Sequence, residues 1–152
     1  MSNIHIIENV LSDFGRNQLL RESIPHLKIL PKRPGKQSLA DLHTQSSMSV
    51  FFYIFLLQIC RKTDLNFRIH KSWVKWSDGT DPNWHTHDST AGYAAVYYIK
   101  TNDSNSGTMF RDGFISAPQN SILLFPANLE HTTPEYDDKF ERYIISLDLK
   151  LK

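Results

Sequence analysis

The most regular stretch of the sequence reads Arg142-Tyr143-Ile144-Ile145-Ser146-Leu147-Asp148-Leu149-Lys150-Leu151. Side chains alternate between the two faces of a β-strand, so one face would carry Tyr143 and the aliphatic residues at 145, 147, 149 and 151. The other face would carry Arg142 and Ser146, with Ile144 between them. This pattern predicts a long final strand, Glu141–Leu151, whose apolar face packs under N-terminal helices.

The region before that strand predicts several shorter strands separated by turn-rich loops. The predicted runs are Phe67–Trp76, Trp84–His87, Tyr93–Lys100, Thr108–Ile115 and Ser121–Phe125. Short strands at such intervals are typical of a β-sandwich or β-barrel.

The N-terminal part favours helices. After a short lead-in strand, Ser12 or Asp13 can cap a helix that ends at Ser23, before Pro25. A second stretch, Ser46–Arg61, is apolar on nearly every face and predicts a buried helix capped by Ser46 or Ser47, with a strand as the alternative. We therefore predict a single α+β, mainly β domain over 1–152. Its helical lead-in covers about 1–66 and its β-core about 67–152.

Composition narrows the possible partners and compartments. Lys+Arg 17 against Asp+Glu 16 gives a net charge of +1, which argues against a nucleic-acid partner. The only cysteine, Cys60, excludes a disulfide scaffold. The longest apolar run, Val50–Leu57, is far shorter than the ~20 residues of a membrane-spanning helix. Without a recognisable signal peptide, we expect a cytoplasmic protein.

A histidine motif, Trp84-His85-Thr86-His87-Asp88, indicates a mononuclear metal site. Residues i and i+2 on a strand point to the same side, about 6.5 Å apart. His131 follows 44 residues after His87 (131 − 87) and can join the pair only if its strand returns alongside. Imidazole groups suit iron, zinc, copper or nickel. The alternative is that these are ordinary surface histidines.

Arg142 lies 11 residues beyond His131 (142 − 131), on the polar face of an otherwise apolar strand. It can pair with a surface carboxylate such as Asp137, Asp138 or Glu141. Alternatively, its guanidinium can clamp a carboxylate inside the β-core.

Further motifs accompany these residues between Ser72 and Leu149, about half of the chain. They are Trp73-Val74-Lys75, Gly79, Asn83-Trp84-His85-Thr86-His87, Val96-Tyr97-Tyr98-Ile99, Leu123-Leu124-Phe125-Pro126, Leu129-Glu130-His131 and Arg142 to Ser146. In this order they resemble non-haem Fe(II), 2-oxoglutarate-dependent oxygenases. The closer resemblance is to a small group from bacteria and tailed phages, distantly related to prolyl hydroxylases.

The resemblance implies a double-stranded β-helix, a form of jelly roll, with the N-terminal helices packed on its major sheet. It also implies a dioxygenase that uses Fe(II) and 2-oxoglutarate to hydroxylate a small molecule or a peptide. His85 and His131 match the iron histidines, and Arg142 matches the residue that binds the distal carboxylate of 2-oxoglutarate. Ser146 matches a small polar residue further along the strand. Tyr97 or Tyr98 would line the co-substrate pocket, and we take Tyr98 as the candidate.

The chain departs from the wider superfamily at the second motif position. The usual pattern there is a carboxylate, whereas this chain has His87, as the small group does. That group usually continues with proline, where this chain has Asp88. Either His87 completes a three-histidine site, or it turns away and Asp88 or water takes its place. We favour His87, because Asp88 is out of phase on a regular strand. Ile144 replaces a second residue that is commonly small and polar.

Two rival functions fit the same residues. A cupin-like three-histidine dioxygenase would need no 2-oxoglutarate, and Arg142 would then bind the substrate or serve the structure. A non-catalytic jelly-roll binding module would hold zinc or no metal. Trp73, Trp76, Trp84 and Tyr93 are candidates for the pocket or its rim, with ordinary core packing as the alternative.

Overall fold

The computed structural model describes residues 3–31, 35–77, 83–87, 91–136 and 141–152. The helices in these ranges are α1 (Asp13–Ser23) and α2 (Ser49–Thr63), with 3-10 turns at Ile24–His26, Leu42–Thr44 and Ser46–Met48. The strands are β1 (His5–Ile7), β2 (Lys28–Ile29), β3 (Lys36–Gln37), β4 (Phe67–Ser77), β5 (Tyr93–Lys100), β6 (Gly107–Phe110), β7 (Gly113–Ser116), β8 (Ile122–Pro126), β9 (His131–Thr132) and β10 (Arg142–Leu151).

Two antiparallel sheets form the β-core of the described residues. The larger has the order β1-β8-β5-β10-β4-β3-β2, and the smaller has the order β7-β6-β9. β10 lies between β4 and β5 near the middle of the larger sheet. Because β1, β2 and β3 also join this sheet, the N-terminal part contributes strands as well as helices.

The alternation along β10 has the predicted consequence. Ile145, Leu147 and Leu149 are fully buried in the core that the helices cover, whereas Leu151 at the strand end is exposed. Ile144 faces the other way, into a second apolar cluster that contains residues of both sheets, such as Val96 of β5 and Phe110 of β6. The polar face of β10 therefore points into the space between the sheets.

The first helix begins and ends as predicted. The Ser12 hydroxyl accepts a hydrogen bond from the Gly15 amide at 3.0 Å, and α1 ends at Ser23, with Pro25 in the following 3-10 turn.

The predicted start and burial of the second helix were wrong. Ser46 and Ser47 lie in a 3-10 turn that leads directly into α2, so that Met48 occupies the cap position. The buried side is built around Phe55, whereas Val50 and Tyr53 are 56% and 66% exposed. One face of α2, with Phe51, Phe52, Phe55 and Ile59, is therefore buried, whereas the face with Val50, Tyr53 and Leu57 is exposed.

Two predicted strands also differ. The run 84–87 is not a continuous strand, since only His85 forms a bridge, to His131. The run Thr108–Ile115 is a hairpin of β6 and β7. The chain reverses just before Gly113, which has a φ of +132°. Residues with a side chain rarely adopt this backbone conformation. Within the described ranges, neither helix has the length and apolar content needed to cross a membrane.

Candidate metal centre

Backbone hydrogen bonds bring the three predicted histidines together. His85 and His131 exchange two bonds, from each amide to the carbonyl of the other, both 3.0 Å long. The His87 amide donates to the carbonyl of Ala127 at 2.7 Å, so the segment that leads to His131 also holds the second histidine of the motif. The chain therefore returns alongside the histidine motif, as a shared site requires.

The three imidazoles are spaced for a single metal ion. One ligand atom from each of His85, His87 and His131 lies within 4.8 Å of the other two. The Nε2 atoms of His87 and His131 are 3.3 Å apart. Two metal–nitrogen bonds of about 2.1 Å at angles between 90° and 110° place their nitrogens about 3.0–3.4 Å apart. The pair is thus separated as two ligands of one ion would be.

The opposite nitrogen of each ring determines which atom can bind a metal. Each Nδ1 contacts an oxygen that can only accept a hydrogen bond, so in the neutral ring the proton lies on Nδ1 and the lone pair on Nε2. Nδ1 of His85 and Nδ1 of His131 hydrogen-bond the Asn83 and Leu129 carbonyls at 2.7 and 2.9 Å, and Nδ1 of His87 lies 2.8 Å from Asp148 Oδ1. Three basic nitrogens therefore face one point, where a cation would be stabilised.

Burial keeps His131 neutral. Its ring packs on Phe125, with centroids 4.8 Å apart, and near Phe110 at 6.0 Å. Burial in this surrounding lowers the pKa of His131 from its ordinary 6.5 to about 3, although its bond to the Leu129 carbonyl acts in the opposite direction. At neutral pH the ring therefore keeps its lone pair, as a metal ligand must.

The lowered pKa predicts that the metal-free protein loses stability in mild acid. Below pH 6.5 the unfolded chain binds a proton at His131 that the folded chain does not bind until about pH 3. Between pH 6.5 and 5 this histidine alone should cost about 2 kcal/mol of unfolding free energy. Urea unfolding at several pH values measures the loss. The fall should be shallower in His131→Asn, and equal slopes in both proteins would contradict the prediction.

Arg142 is buried, and two of its donors are taken up by backbone carbonyls. Its Nε donates to the Asn105 carbonyl at 3.0 Å and its Nη2 to the Gly107 carbonyl at 2.8 Å. Its Nη1 has no hydrogen-bond partner among the described residues. Burial lowers the pKa of Arg142, yet a guanidinium stays charged in proteins. A buried cation with a remaining donor indicates a place for an anion.

The alternative surface pairing of Arg142 receives no support from Glu141, whose carboxylate accepts a hydrogen bond from the Tyr143 hydroxyl at 3.2 Å. Among the described residues, no carboxylate forms an ion pair with Arg142. Asp137 and Asp138 lie outside the described residues.

A cavity of about 220 Å³ connects the histidines with Arg142. Ser146 and Ile144 of β10 line it, as does Thr108 of β6. The hydroxyl of Thr132, another lining residue, is also buried without a partner in the described part of the chain. A ligand with oxygen atoms would satisfy these polar groups.

The two candidate tyrosines face opposite sides of β5. Tyr97 lies in the core beneath the helices, and its hydroxyl donates to Asn120 at 2.7 Å. Tyr98 faces the smaller sheet and forms a 2.7 Å hydrogen bond with the hydroxyl of Thr108. Arg142 lies 5.6 Å from the Tyr98 ring centre. Tyr98 thus supports the cavity wall from behind Thr108.

Of the four aromatic rim candidates, Trp73 lines the cavity, with its ring stacked against that of His87 at 5.8 Å. The other three lie elsewhere. Trp84 is covered by the guanidinium of Arg111 at 3.8 Å, Trp76 lies beneath Lys36, and Tyr93 packs on Phe67.

Asp148 is one of the residues at the site that were not predicted from the sequence. It lies six residues beyond Arg142 on β10. The two-residue alternation of the strand therefore already placed Asp148 on the same face as Arg142. Gln37 and Lys75 also line the cavity without having been predicted. The proposed alternative ligand Asp88 lies outside the described residues.

No family model matches this chain, and no curated protein matches its sequence. Solved structures do resemble it. The viral collagen prolyl hydroxylase from Paramecium Bursaria Chlorella virus-1, in its 2-oxoglutarate complex, has a TM-score of 0.70 at 13% identity over 97% of this chain and 95% of its own. A prolyl hydroxylase from Trichoplax adhaerens, bound to a hypoxia inducible factor peptide fragment, has a TM-score of 0.70 at 14% identity over 97% and 83%.

A third similar structure is HygX from Streptomyces hygroscopicus, with nickel, 2-oxoglutarate and hygromycin B bound. Its TM-score is 0.70 at 10% identity, over 97% of this chain and 82% of its own. At such low sequence identity, the similarity of these structures shows a shared fold. The predicted jelly roll is confirmed: this chain has the mainly β fold of 2-oxoglutarate- and iron-dependent oxygenases, with its helices packed on the larger sheet.

Proposed function

We propose that this protein is a non-haem Fe(II)- and 2-oxoglutarate-dependent dioxygenase that hydroxylates a small molecule or a peptide. The observation that carries the proposal is one cavity with two complementary parts. Three histidine nitrogens lie close together, and the buried Arg142, whose Nη1 has no partner among the described residues, lines the same cavity. A 2-oxo dicarboxylate has a chelating end for the first part and a carboxylate for the second.

Each residue then has a definite role. His85, His87 and His131 would hold the ion on one face and leave its other positions open. Arg142 would bind the distal carboxylate, and Ser146, on the same face of β10, would offer its hydroxyl nearby. When bound, iron and 2-oxoglutarate supply the oxidation: O₂ gives one oxygen atom to succinate, with release of CO₂, and the other to a C–H bond. Apolar Ile144 and Val96 keep water from the cavity wall.

The ligands of the similar structures support this assignment. HygX holds nickel and 2-oxoglutarate together with hygromycin B, and the Trichoplax enzyme holds a peptide. Both substrate classes remain candidates here. In the cupin-like alternative, Arg142 would bind the substrate itself, and a binding module would take up a metal without 2-oxoglutarate.

An anaerobic titration tests the proposal. Protein loaded with Fe(II) should develop a weak visible charge-transfer band when 2-oxoglutarate is added. Glutarate lacks the keto group, so it should compete for Arg142 without producing the band. Saturable binding of 2-oxoglutarate, measured by calorimetry, should accompany the band. Metal binding with neither a band nor 2-oxoglutarate binding would contradict the proposal and favour the alternatives.

A further inference from the structure

Asp148 is a carboxylate buried in the middle of the β-core. Its exposed fraction is 2%, and its Oδ1 lies 2.8 Å from Nδ1 of His87. A buried carboxylate is costly unless hydrogen-bond donors or a positive charge compensate it. Its place beside one particular histidine of the cluster therefore needs a reason.

The three histidines are not supported alike. Nδ1 of His85 and of His131 hydrogen-bonds a neutral backbone carbonyl, whereas Nδ1 of His87 lies against a carboxylate oxygen at 2.8 Å. A carboxylate behind a ligating histidine fixes its tautomer and orientation and makes its other nitrogen more basic. His87 also occupies the motif position where the wider superfamily that this sequence resembles usually has a carboxylate.

The position of Asp148 is defined by the fold. On β10 it lies between Lys71 of β4 and Ala94 of β5, and the register with β4 shifts directly after it. The ring of Trp73 stacks on that of His87 at an interplanar angle of 25°. His87 is thus held by a carboxylate contact at its Nδ1 and by an aromatic contact on its face.

We propose that Asp148 is a positioning residue for the metal centre, which fixes His87 as an Nε2 ligand and supplies the negative charge that the histidine itself lacks. This inference rests on the proposed function. A divalent ion with three neutral imidazoles has a net charge of +2, and one carboxylate behind them reduces the charge of the assembly to +1 (2 − 1). A carboxylate ligand would give the same total. The anionic group is thus retained, one side chain further from the metal.

Two substitutions of Asp148 distinguish the effect of its negative charge from its effect on the orientation of His87. Asp148→Asn keeps an oxygen that can accept from Nδ1 but removes the charge, and Asp148→Leu removes both at similar volume. We expect Co(II) affinity to fall about 10- to 100-fold in Asp148→Asn and further in Asp148→Leu. The visible ligand-field spectrum of Co(II) should shift in both. Calorimetry and absorption measure these effects without turnover, and thermal unfolding of the metal-free proteins checks folding.

A double-mutant cycle shows whether Asp148 acts through His87. If it does, adding Asp148→Asn to His87→Ala should lower Co(II) affinity no further than His87→Ala alone. Independent losses would overturn the inference. So would unchanged affinity and spectrum in Asp148→Asn, while the proposed function would stand. Failure of the wild-type protein to bind any divalent ion would instead overturn the proposed function.

A measurement on the wild-type protein avoids any folding defect of the variants. In the Zn(II)-loaded protein, ¹⁵N NMR of the histidine side chains should show His87 bound through Nε2. Its Nδ1 proton should be protected from exchange and shifted downfield by the carboxylate. Zn(II) bound to Nδ1 of His87, or a rapidly exchanging Nδ1 proton, would overturn the inference.

Discussion

Replacing His131 by alanine is expected to abolish the thermal stabilisation that a divalent metal gives the wild-type protein. At a Ni(II) concentration about 100 times the dissociation constant, binding should stabilise the folded state by about 2.7 kcal/mol. For a domain of this size that corresponds to a rise in melting temperature of roughly 5 to 10 °C. His131→Ala removes one of three converging nitrogens, so the rise should disappear.

The comparison must use the increment that Ni(II) produces in each variant. His131 packs against Phe125, so its truncation also leaves a cavity and lowers the melting temperature of the metal-free protein. His26→Ala is the matched control, because His26 lies in the turn after α1, outside the cluster. This control should keep the full increment. An undiminished increment in His131→Ala would show that the metal binds elsewhere.

The strands that could be predicted from sequence are those whose two faces meet different surroundings. β5 and β10 each lie between a helix-covered core and the space between the sheets, so their side chains alternate strictly. The predicted range Tyr93–Lys100 is confirmed in full, and the last strand to within one residue. The histidine motif contains too few residues to show such a pattern. Its conformation depends on pairing with His131, which is distant in sequence.

Turn and cap positions were harder to predict, because the residues that favour them are also compatible with other local structures. A hydroxyl at Ser46 or Ser47 can cap a helix, but the chain forms a 3-10 turn there before α2 begins. In the hairpin, Arg111-Asp112-Gly113 contains the signal for the reversal within Thr108–Ile115, and the apolar residues on both sides conceal it.

Within the candidate site, spacing along the sequence indicated the residues that line the cavity. The residues behind them are determined by contacts between distant parts of the chain. The two-residue spacing of His85 and His87 and the sequence separation of His131 and Arg142 grouped these residues only together with the family resemblance. The contact of Asp148 with His87 joins strand β10 to the histidine motif, and no local pattern specifies which residues meet there. The choice between Tyr97 and Tyr98 likewise required the observed faces of β5.

Arg142→Ala is expected to weaken 2-oxoglutarate binding while leaving Ni(II) binding nearly unchanged. Loss of a buried charged partner should cost about 2–5 kcal/mol, which is about 30-fold to several thousandfold in affinity. Calorimetry with the Ni(II)-loaded protein measures the effect. Arg142→Lys keeps the charge but cannot donate to the Asn105 and Gly107 carbonyls and to a ligand at the same time, so it should recover only part of the affinity.

Arg21→Ala, which removes an exposed arginine from α1, should leave both affinities unchanged and controls for net charge. Ni(II) binding tests the histidines, and 2-oxoglutarate binding tests Arg142 as well. The two measurements can differ because the histidines and Arg142 belong to different segments of the chain. Glutarate depends on Arg142 without a keto group to chelate the metal, so it should lose its binding to Arg142→Ala altogether. Equal 2-oxoglutarate affinity in the wild type and Arg142→Ala would mean that Arg142 does not bind the co-substrate. Its Nη1 donor would then have to serve the primary substrate, as the cupin-like alternative requires.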